Sequence, residues 1–356
     1  MDFDILTQSF TEICGHSLIA PSRPLDCSVI LNPAAGGFSI RSKWKSVAKI
    51  LNDYRQKALV NPQRMMFKSI EFINTVSQGS AGAITKAIIK EAEKHGEPFY
   101  LIISAGGDGT HSEVMCALYN ASAHIRKNIA VLRLPFGTGN DGADGANLAE
   151  VLDLLINPVH VEFAPAVQLV TSRSGQAIQK GPFLAFNILS VGLDAYVTHM
   201  TNKLKGRLPG DSYKLWLDIA ALFYDKVYKV GYIDVRALDN YNREITSFKE
   251  KLLFLAMGAS GRRTYGSGQL ILPDERNVCA VKQTPVYRKI KIKGQVKKGL
   301  HADNPETILF NAHRVEISAV HPILAQMDGE SVLLQPDDFP AALELTAPVI
   351  PLLKRS

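Results

Sequence analysis

The sequence predicts an N-terminal doubly wound α/β domain, Rossmann-like in plan, followed by a C-terminal β-sandwich-like domain. Between residues 25 and 157, apolar runs alternate with segments of helical periodicity, which is typical of a parallel sheet covered by helices. After Pro158, strand-like runs follow one another with one helical interruption. A chain of 356 residues also exceeds the usual size of one domain. The predicted fold class is therefore α/β plus all-β.

The first domain is predicted over residues 25–157, after an N-terminal arm over residues 1–24. Its first strand is CSVILNP, and its first helix has apolar residues at helical spacing, at Trp44, Val47, Leu51 and Tyr54. The further strands are MMFKSI, FYLIISA and IAVLRLP, and the further helices lie around Ile84–Ala92, HSEVMCALYNA and NLAEVLDLLI. FYLIISA is apolar throughout, as expected for a strand buried on both faces.

The second domain is predicted over residues 158–330, and residues 331–356 are expected to return toward the first domain. Its strand-like runs are VHVEFAPAVQLV, FLAFNILSVGL, GYIDVRAL, KLLFLAMGA and HRVEISAV. The helical interruption is DSYKLWLDIAALFYDKVY. Successive strands with little helix between them indicate a β-rich domain.

Composition gives broad limits on function. The net charge of +6 and the pI of about 9.0 suit anionic partners such as nucleotide phosphates or lipid headgroups. The N-terminal MDFDILTQSF lacks the pattern of a signal peptide, and no apolar run approaches the roughly 18 residues of a membrane span. The four cysteines have no metal-binding spacing. We therefore expect a cytoplasmic protein with reduced thiols.

The strongest local motif is GGDGT, at Gly106–Thr110, between a buried strand and a helix. Consecutive glycines allow the backbone to approach a phosphate closely, and the N-terminus of the next helix favours an anion. The carboxyl end of a strand in an open α/β sheet is also where ligands bind. Asp108 would repel phosphates unless a magnesium ion lay between them. The alternative interpretation is a tight turn with a polar tip.

Three further loops fall where the same argument expects them. Asn32-Pro33 and Gly36-Gly37 follow the first strand, and Gly137–Asp141 follows the fourth. Asp328-Gly329-Glu330 follows the apolar run PILAQM. Two acids flanking a glycine suit a magnesium ligand and a general base, although this tripeptide is also a common surface turn.

Together these loops resemble the catalytic domain of the diacylglycerol kinase and sphingosine kinase superfamily, including its bacterial lipid kinases. The matching pieces appear in the family's order, from about Cys27 to about Leu353: NPxxGG, GGDGT, P-x-GTGND-x-A, FNILSVGLDA, GSGQLILP and DGE. Each piece alone is weak evidence, but six in order are specific. The resemblance implies an ATP- and magnesium-dependent kinase acting on a lipid hydroxyl, diacylglycerol-like or sphingoid-like, with its active site in the interdomain cleft. It also implies transient peripheral association with the inner membrane surface.

The family's residue roles carry over as expectations. The nucleotide-binding residues implied are Asn32, Pro33, Gly36, Gly37, Gly106, Gly107, Asp108, Gly109, Thr110, Gly137, Thr138, Gly139, Asn140 and Asp141. The catalytic residues implied are Asp108, Asp194, Asp328 and Glu330, with Asp108 and Asp328 as metal ligands and Glu330 as base. For Asp194, an N-terminal helix cap is an equal alternative. Lys203, Lys205 and Arg207 either reach triphosphate oxygens or form a solvated helix face.

Three departures from the family pattern stand out. His111 and Ser112 follow GGDGT where a hydrophobic residue and Asn are usual. Asp144 stands where an Arg commonly follows GTGND-x-A, which reverses a charge beside the nucleotide loop. The segment DERNVCAV after Pro273 lacks the Asp-Asp-Gly turn that binds a structural magnesium ion in some bacterial members.

The stretch Val286–Lys298, VYRKIKIKGQVKK, carries six positive charges and no negative one. Its apolar residues fit a helix or a strand, so the period does not decide. Such a segment is either a solvated face or a patch that attracts an anionic membrane, at about 1 kcal/mol for each basic residue. Nucleic-acid binding is less supported, because no recognition fold is apparent.

Three rival functions remain. NAD kinases share the fold plan and GGDGT, but their resemblance to this chain ends there. A dinucleotide-binding dehydrogenase would use Gly137–Gly142 as GxGxxG, yet a clear acidic ribose partner is missing. A catalytically silent lipid-binding homologue is disfavoured by the intact Asp108, Asp328 and Glu330.

Overall fold

The structure is a computed structural model, and it describes residues 2–19, 22–60, 67–137, 139–173, 183–204, 224, 230–266 and 268–356. The chain divides into two compact units. The first comprises Met1–Ala164 with Pro348–Ser356, and the second comprises Pro165–Ala347.

The first unit is built on one six-stranded sheet. Its strands are β1 (Leu25–Leu31), β2 (Phe67–Asn74), β3 (Phe99–Gly106), β4 (Ile129–Pro135), β5 (Val159–Ala164) and β19 (Ile350–Arg355). Its helices are α1 (Phe3–Gly15), α2 (Gly36–Ser39), α3 (Arg41–Val60), α4 (Ser80–Lys94), α5 (Asp108–Tyr119), α6 (Ala123–Arg126) and α7 (Leu148–Ile156). The strand order is β2-β1-β3-β4-β19-β5, and only the pairing of β5 with β19 is antiparallel. The predicted doubly wound α/β domain is confirmed.

The apolar character of the central strands follows from helices on both sides of the sheet. Every residue of β3 is buried. Leu101 and Ile103 belong to a core that also contains residues of α1, α3 and α7, while Ile102, between them, points to the opposite face. Helices α4 and α5 pack against each other and contact β1 and β3, respectively.

The strand order places a topological switch between β1 and β3. The chain leaves β1, forms β2 on one side, and returns to form β3 on the other side of β1. Connections that diverge in this way open a crevice at the carboxyl ends of the two strands, where ligands bind in such sheets. The Asn32 loop and the GGDGT loop both start there.

The two chain ends differ from the sequence-based segments. Residues 3–15 form α1 rather than an arm, because Leu6, Phe10 and Ile13 recur at helical spacing and are fully buried in the first unit. The boundary follows Ala164 rather than Asn157, since β5 completes the first sheet beside β19. Only Pro348–Ser356 returns to the first unit, and residues 331–347 remain in the second.

The second unit is dominated by an eleven-stranded sheet. The strands of this unit are β6 (Val167–Val170), β7 (Phe183–Ala185), β8 (Ile188–Gly192), β9 (Tyr232–Leu238), β10 (Glu244–Gly258), β11 (Arg263–Tyr265), β12 (Gln269–Leu272), β13 (Val278–Lys282), β14 (Thr307–Phe310), β15 (Arg314–Ser318), β16 (Ile323–Met327), β17 (Glu330–Leu334) and β18 (Ala341–Leu345). The helices here are α8 (Leu193–Leu204) and α9 (Val286–Val296), with 3₁₀ turns at Leu300–Asp303 and Pro336–Asp338. Strands β11 and β12 form a separate hairpin.

The long strand β10 makes this sheet continuous. Its first half pairs with β9, and its second half pairs with β8 and β13. Side chains from strands on both sides of this junction, including Leu189 of β8 and Val315 of β15, share one core. The all-β class is confirmed, and the two predicted layers are parts of one antiparallel sheet that curls through β10.

Two sequence segments have separate outcomes. The basic stretch, whose period did not decide between helix and strand, forms α9. The predicted helix over residues 211–228 lies outside the described residues, apart from Tyr224. Among the helices that the structure describes, none has the length and apolar content needed to span a membrane.

Candidate active site

Three loops of the first unit meet where β1, β3 and β4 end. The backbone N–H of Asn32 donates to the carbonyl of Ala105, with N and O 2.9 Å apart, and Gly37 donates to the carbonyl of Phe136 over 2.8 Å. Phe136 in turn donates to the carbonyl of Gly106 over 3.1 Å. These bonds join the NPxxGG, GGDGT and GTGND loops into one backbone cluster, in which Gly36 begins the short helix α2 and Pro33 is exposed.

Glycine is required where the loops touch. A Cβ atom on Gly137 would lie 2.6 Å from the Cα of Gly107, so a side chain at Gly137 would push the two loops apart. A Cβ on Gly109 would meet nothing within 4 Å. This open side lies at the N-terminus of α5, where unpaired backbone N–H groups attract an anion. The loop cluster is thus tight between the loops and open at the helix end.

Polar side chains fix this arrangement. The Asn32 amide nitrogen donates to the Thr110 hydroxyl over 3.0 Å, and Asn32 Oδ1 accepts from the N–H of Ala34. Asn140 adopts a left-handed backbone with φ of 61°. Its Oδ1 is buried and accepts no hydrogen bond from the described residues. Buried acceptors are nearly always satisfied, so Asn140 is suited to a ligand donor. Thr138 lies outside the described residues.

Asp108 has a carboxylate that suits a cation. Its Oδ1 accepts from the N–H of Gly142 over 2.9 Å. A Cβ on Gly139 would lie 2.9 Å from Asp108 Oδ2 and 3.1 Å from Asp141 Oδ2, so the two acids flank this glycine. Burial raises the pKa of Asp108 above its usual value, and the negative charge of Asp141 raises it further.

The donor set fits magnesium. Mg²⁺ prefers oxygen ligands and is usually held by one or two carboxylates together with substrate phosphates. Asp108 and Asp141 supply such carboxylates, and their mutual repulsion favours a bound cation. Within the described ranges, no group of three or more His, Cys, Asp or Glu side chains could hold a metal alone. A magnesium ion here would therefore need phosphate oxygens to complete its ligands.

Asp144 does not leave a reversed charge beside the nucleotide loop. Its carboxylate binds the Arg133 guanidinium over 2.6 Å, and both side chains are only 4% exposed. It also accepts from the Arg133 backbone N–H over 2.7 Å. Loss of one partner of a buried pair leaves an unpaired charge. The departure at position 144 is thus compensated on β4.

His111 also has a structural explanation. The side chain is buried, and its Nδ1 lies 2.8 Å from the Ser104 hydroxyl on β3. Burial, followed by repulsion from Arg133, lowers the pKa of His111 to about 3. The imidazole is therefore neutral in the folded protein at physiological pH and joins α5 to β3.

This neutral histidine predicts a pH dependence of stability. Because the folded pKa lies below the unfolded value of 6.5, protonation of the unfolded chain destabilises the fold as pH falls below 6.5. Between pH 7.5 and pH 5.5 we expect His111 to contribute a loss of about 1.4 kcal/mol in the free energy of unfolding. Urea unfolding at both pH values should show this extra loss in the wild type relative to His111→Leu. Equal losses in both proteins would contradict it.

Glu113, one turn after GGDGT, stabilises the neighbouring helix. Its carboxylate accepts from the backbone N–H groups of Gly79 and Ala81 over 2.7 and 3.0 Å, at the N-terminus of α4. A carboxylate at this end of a helix satisfies free N–H groups and offsets the helix dipole. This acid therefore positions α4.

In the second unit, Asp328 holds a backbone turn. Its two carboxylate oxygens accept from three successive N–H groups, those of Phe186, Asn187 and Ile188. The bonds to Ile188 and Asn187 measure 3.0 and 3.1 Å. Because these bonds already use acceptor sites of the carboxylate, they favour a positioning role for Asp328 over the metal-ligand role expected from the sequence.

Glu330 differs from Asp328. It begins β17 and is exposed, and no described residue forms a hydrogen bond or ion pair with its carboxylate. Gly329, between the two acids, has φ of 101°, which allows the tight β16–β17 turn. The DGE turn thus has one acid bound to the fold and one exposed.

Asp194 lies in the first turn of α8 within a polar network. Its Oδ2 accepts from the Ser190 hydroxyl over 2.6 Å and from the Gln326 amide over 3.3 Å. Gln326, which is fully buried, also accepts from the N–H of Gly329 over 3.2 Å. Asp194 and the DGE turn are therefore joined through one side chain. Sequence reasoning missed Ser190 and Gln326, although a polar residue inside an apolar strand run is the signal that finds them.

The remaining sequence expectations have varied outcomes. Asp274 is bound by the guanidinium of Arg276, which is the largest cause of its lowered pKa. Glu275, the other acid of DERNVCAV, pairs with Arg262, so cations of the chain itself neutralise both acids and the segment does not suit a second magnesium site. Lys203 is exposed on α8. Lys205 and Arg207 lie outside the described residues.

The family comparison matches the first unit. The model of the diacylglycerol kinase catalytic domain matches residues 26–161, which contain all three loops of the cluster. Curated relatives extend the similarity further. "Probable lipid kinase YegS" from Escherichia coli (strain SMS-3-5 / SECEC) and from Shigella boydii serotype 18 are each 26% identical over 266 residues, covering 73% of this chain and 81% of each relative.

Solved structures show the same two-part fold. A diacylglycerol kinase from Bacillus anthracis str. Sterne aligns with a TM-score of 0.52 at 16% identity, covering 92% of this chain and 96% of that chain. Another structure from the same organism aligns over the same shares with a TM-score of 0.58 at 18% identity. At these identities the likeness establishes the fold.

Proposed function

We propose that this chain, whose residues 26–161 match the diacylglycerol kinase catalytic domain and whose curated relatives are probable lipid kinases, phosphorylates a hydroxyl group of a membrane lipid, diacylglycerol-like or sphingoid-like. It is an ATP-dependent kinase with an alcohol acceptor. The observation that carries the proposal is the meeting of three glycine loops at the β1/β3 switch point, beside Asp108 and the open N-terminus of α5.

The loop cluster supplies what a triphosphate needs. The open side of Gly109 lets phosphate oxygens approach the N–H groups of α5. Asn32 and Thr110 hold the first two loops in register through their side-chain bond. The unsatisfied Oδ1 of Asn140 is an acceptor for a donor on the nucleoside. Phosphoryl transfer depends mainly on such positioning and on neutralisation of charge.

Magnesium is part of the proposal. Asp108 and Asp141 would hold it, since their carboxylates flank Gly139. Bound magnesium would neutralise charge on the transferring phosphoryl group. Asp108 therefore has two tasks, to keep the GTGND loop in place through Gly142 and to present a carboxylate beside the phosphates.

The acceptor lipid is assigned to the second unit. Glu330 is the proposed base, because its carboxylate is exposed and forms no bond with the described part of the chain. It would take the proton of the acceptor hydroxyl or orient that hydroxyl. Asp328 holds the DGE turn from one side, and Gln326 links it to Asp194 on the other. Asp328 is therefore proposed as a positioning residue for Glu330, and Asp194 as a positioning residue for the acceptor.

The location follows from the substrate. A lipid acceptor resides in a bilayer, and ATP is a cytoplasmic metabolite. We therefore place the protein in the cytoplasm with peripheral association at the inner membrane surface.

A lipid-panel assay tests this function. Purified protein with radiolabelled ATP and Mg²⁺ should label diacylglycerol or a sphingoid base in mixed micelles, and should not label NAD. Label in NAD alone would overturn the lipid assignment. No transfer to any lipid, despite ATP binding, would establish a silent homologue.

Glu330→Gln tests the assigned base. Loss of a positioned base should lower kcat by roughly 10²-fold, with an unchanged melting temperature because Glu330 is exposed. The matched control is Glu71→Gln, the same change at an exposed residue of β2, which should keep wild-type activity. A Glu330→Gln protein as active as this control would remove Glu330 from the mechanism.

A further inference from the structure

Helix α9 has one buried face and one solvent-exposed face. The exposed face differs from that of an ordinary amphipathic helix because it carries apolar side chains as well as basic ones. Its inner face is buried and consists of Lys289, Ile292 and Val296. At 100° per residue these three positions fall on one side of the helix. Tyr287 and Gly294 fall on the opposite side.

The outer face carries large apolar side chains in solvent. Tyr287 is 67% exposed and Ile290 is 55% exposed. They lie three residues apart and are therefore neighbours on the helix surface. Val286, at the first position of α9, is 36% exposed, and Leu300, in the following 3₁₀ turn, is 52% exposed. Single exposed apolar residues are ordinary, but a group of them on one helix marks an interaction surface.

Lysines border these apolar side chains. Lys291, Lys297 and Lys298 are exposed, and no described residue pairs with them. Arg288 does not belong to this set, because it forms an ion pair with Glu306. From Gln283 to Ala302 the chain contains no Asp or Glu. The surface is thus positive without local compensation.

We propose that the α9 surface, formed by Val286, Tyr287, Ile290, Lys291, Lys297 and Lys298, docks on the anionic leaflet of a lipid bilayer. Aliphatic and aromatic side chains enter the boundary between headgroups and acyl chains, while lysines remain among the headgroup phosphates. Nucleic acid would use the lysines but leave Ile290 and Val286 in water. The inference deepens the proposed function, since it names the surface that brings the kinase to its lipid.

Vesicle sedimentation tests the docking without ATP. Wild-type protein should sediment with vesicles of phosphatidylcholine mixed with phosphatidylglycerol, and should sediment weakly with phosphatidylcholine alone. Added salt should release it by screening the lysines. Equal binding to both vesicles, or tighter binding to RNA than to anionic vesicles, would overturn the proposal.

The triple variant Lys291→Gln, Lys297→Gln and Lys298→Gln tests the basic residues. Each lysine near an anionic surface contributes about fivefold to partitioning, so the triple variant should bind anionic vesicles about 100-fold more weakly. The matched control changes Lys86, Lys90 and Lys127 to Gln, which are exposed lysines of the first unit, and should bind as the wild type does. If the control triple variant lost as much vesicle binding as the α9 triple variant, net charge alone would explain the loss, and the proposal would be overturned.

The double variant Tyr287→Ser and Ile290→Ser tests the apolar residues. We expect this variant to bind at least about tenfold more weakly than the wild type. The ratio between the two proteins should be the same at low and high salt, because apolar insertion is not screened. The melting temperature should not change, since both side chains are exposed. If this variant bound vesicles as tightly as the wild type, the contact would be purely electrostatic, and the proposed insertion of apolar side chains would be overturned.

A kinase assay separates this proposal from the proposed function. Both variants should phosphorylate a short-chain acceptor dispersed as monomers at the wild-type rate, and should lose activity on vesicles. If no lipid is phosphorylated but the triple variant loses vesicle binding, the function fails and the docking surface stands. If dispersed lipid is phosphorylated but vesicle binding is unaffected in both variants, the docking fails and the function stands.

Discussion

Asp108→Asn is expected to abolish most kinase activity without lowering the melting temperature. We expect kcat to fall by roughly 10³-fold, because the variant removes the charge that would hold a cation beside the phosphates. The Asn side chain keeps an oxygen that accepts from the Gly142 N–H, as Asp108 Oδ1 does over 2.9 Å. The loop geometry is therefore preserved while the charge is lost.

The direction of the stability change follows from the pKa of Asp108. Burial, with a contribution from Asp141, raises this pKa above the usual value of 3.8. The folded protein therefore disfavours the carboxylate, and stability falls as pH rises from 3.8 through the folded pKa. Neutral pH lies above 3.8, so this loss is present there. Asp108→Asn removes it, so the variant should melt at or above the wild-type temperature.

Kinetics and calorimetry on the same preparations check both parts. Asp53→Asn, which removes the same charge from an exposed position of α3, is the matched control and should change neither quantity. A functional acid is expected to cost stability and to be required for activity. If Asp108→Asn melted well below the wild type, the residue would be structural. If it kept full activity, the proposed cation site would be abandoned.

The loop cluster was predictable because its signals are local. GGDGT and GTGND each follow an apolar strand run, and carboxyl ends of parallel strands share one sheet edge. The glycine contact between Gly107 and Gly137 is a consequence of that topology. The fold class was predictable for the same reason. The spacing of apolar residues distinguishes a strand from a helix within a short sequence window.

Interactions between residues far apart in the sequence were not predictable from short sequence windows. Asp144 looks like a charge reversal until Arg133 on the adjacent β4 is placed beside it. Helix α1 was missed because three apolar residues at helical spacing, Leu6, Phe10 and Ile13, are a weak signal in a short segment. These side chains become decisive only through the core against which they pack. The period of α9 was ambiguous because lysine stems also bury against apolar surface, as Lys289 does.

The DGE turn shows how two similar acids acquire different roles. From the sequence, both Asp328 and Glu330 are expected to act directly in catalysis, Asp328 as a metal ligand and Glu330 as the base. In the structure, Asp328 binds backbone N–H groups of residues 186–188, whereas Glu330 is exposed. Which acid is held by the fold depends on the pairing of β16 with β8, and that pairing is not encoded in any local window.

Asp328→Asn should therefore destabilise the protein as well as lower its activity. The amide replaces one acceptor oxygen by an N–H donor that faces backbone donors, and we expect a loss of about 3 kcal/mol in the free energy of unfolding. The backbone itself is not strained, since Asn tolerates the left-handed region that Asp328 adopts at φ of 45°. Activity should fall because the turn that carries Glu330 is no longer held.

Urea unfolding and a magnesium titration of the residual activity together decide the role of Asp328. A positioning residue predicts lower stability with an unchanged magnesium requirement. A metal ligand predicts the reverse, unchanged stability with a much higher magnesium concentration at half-maximal activity. The second result would contradict the assignment made from the backbone bonds. Glu330→Gln, two residues away, is the built-in comparison, because an exposed acid at the same turn should lose activity with no loss of stability.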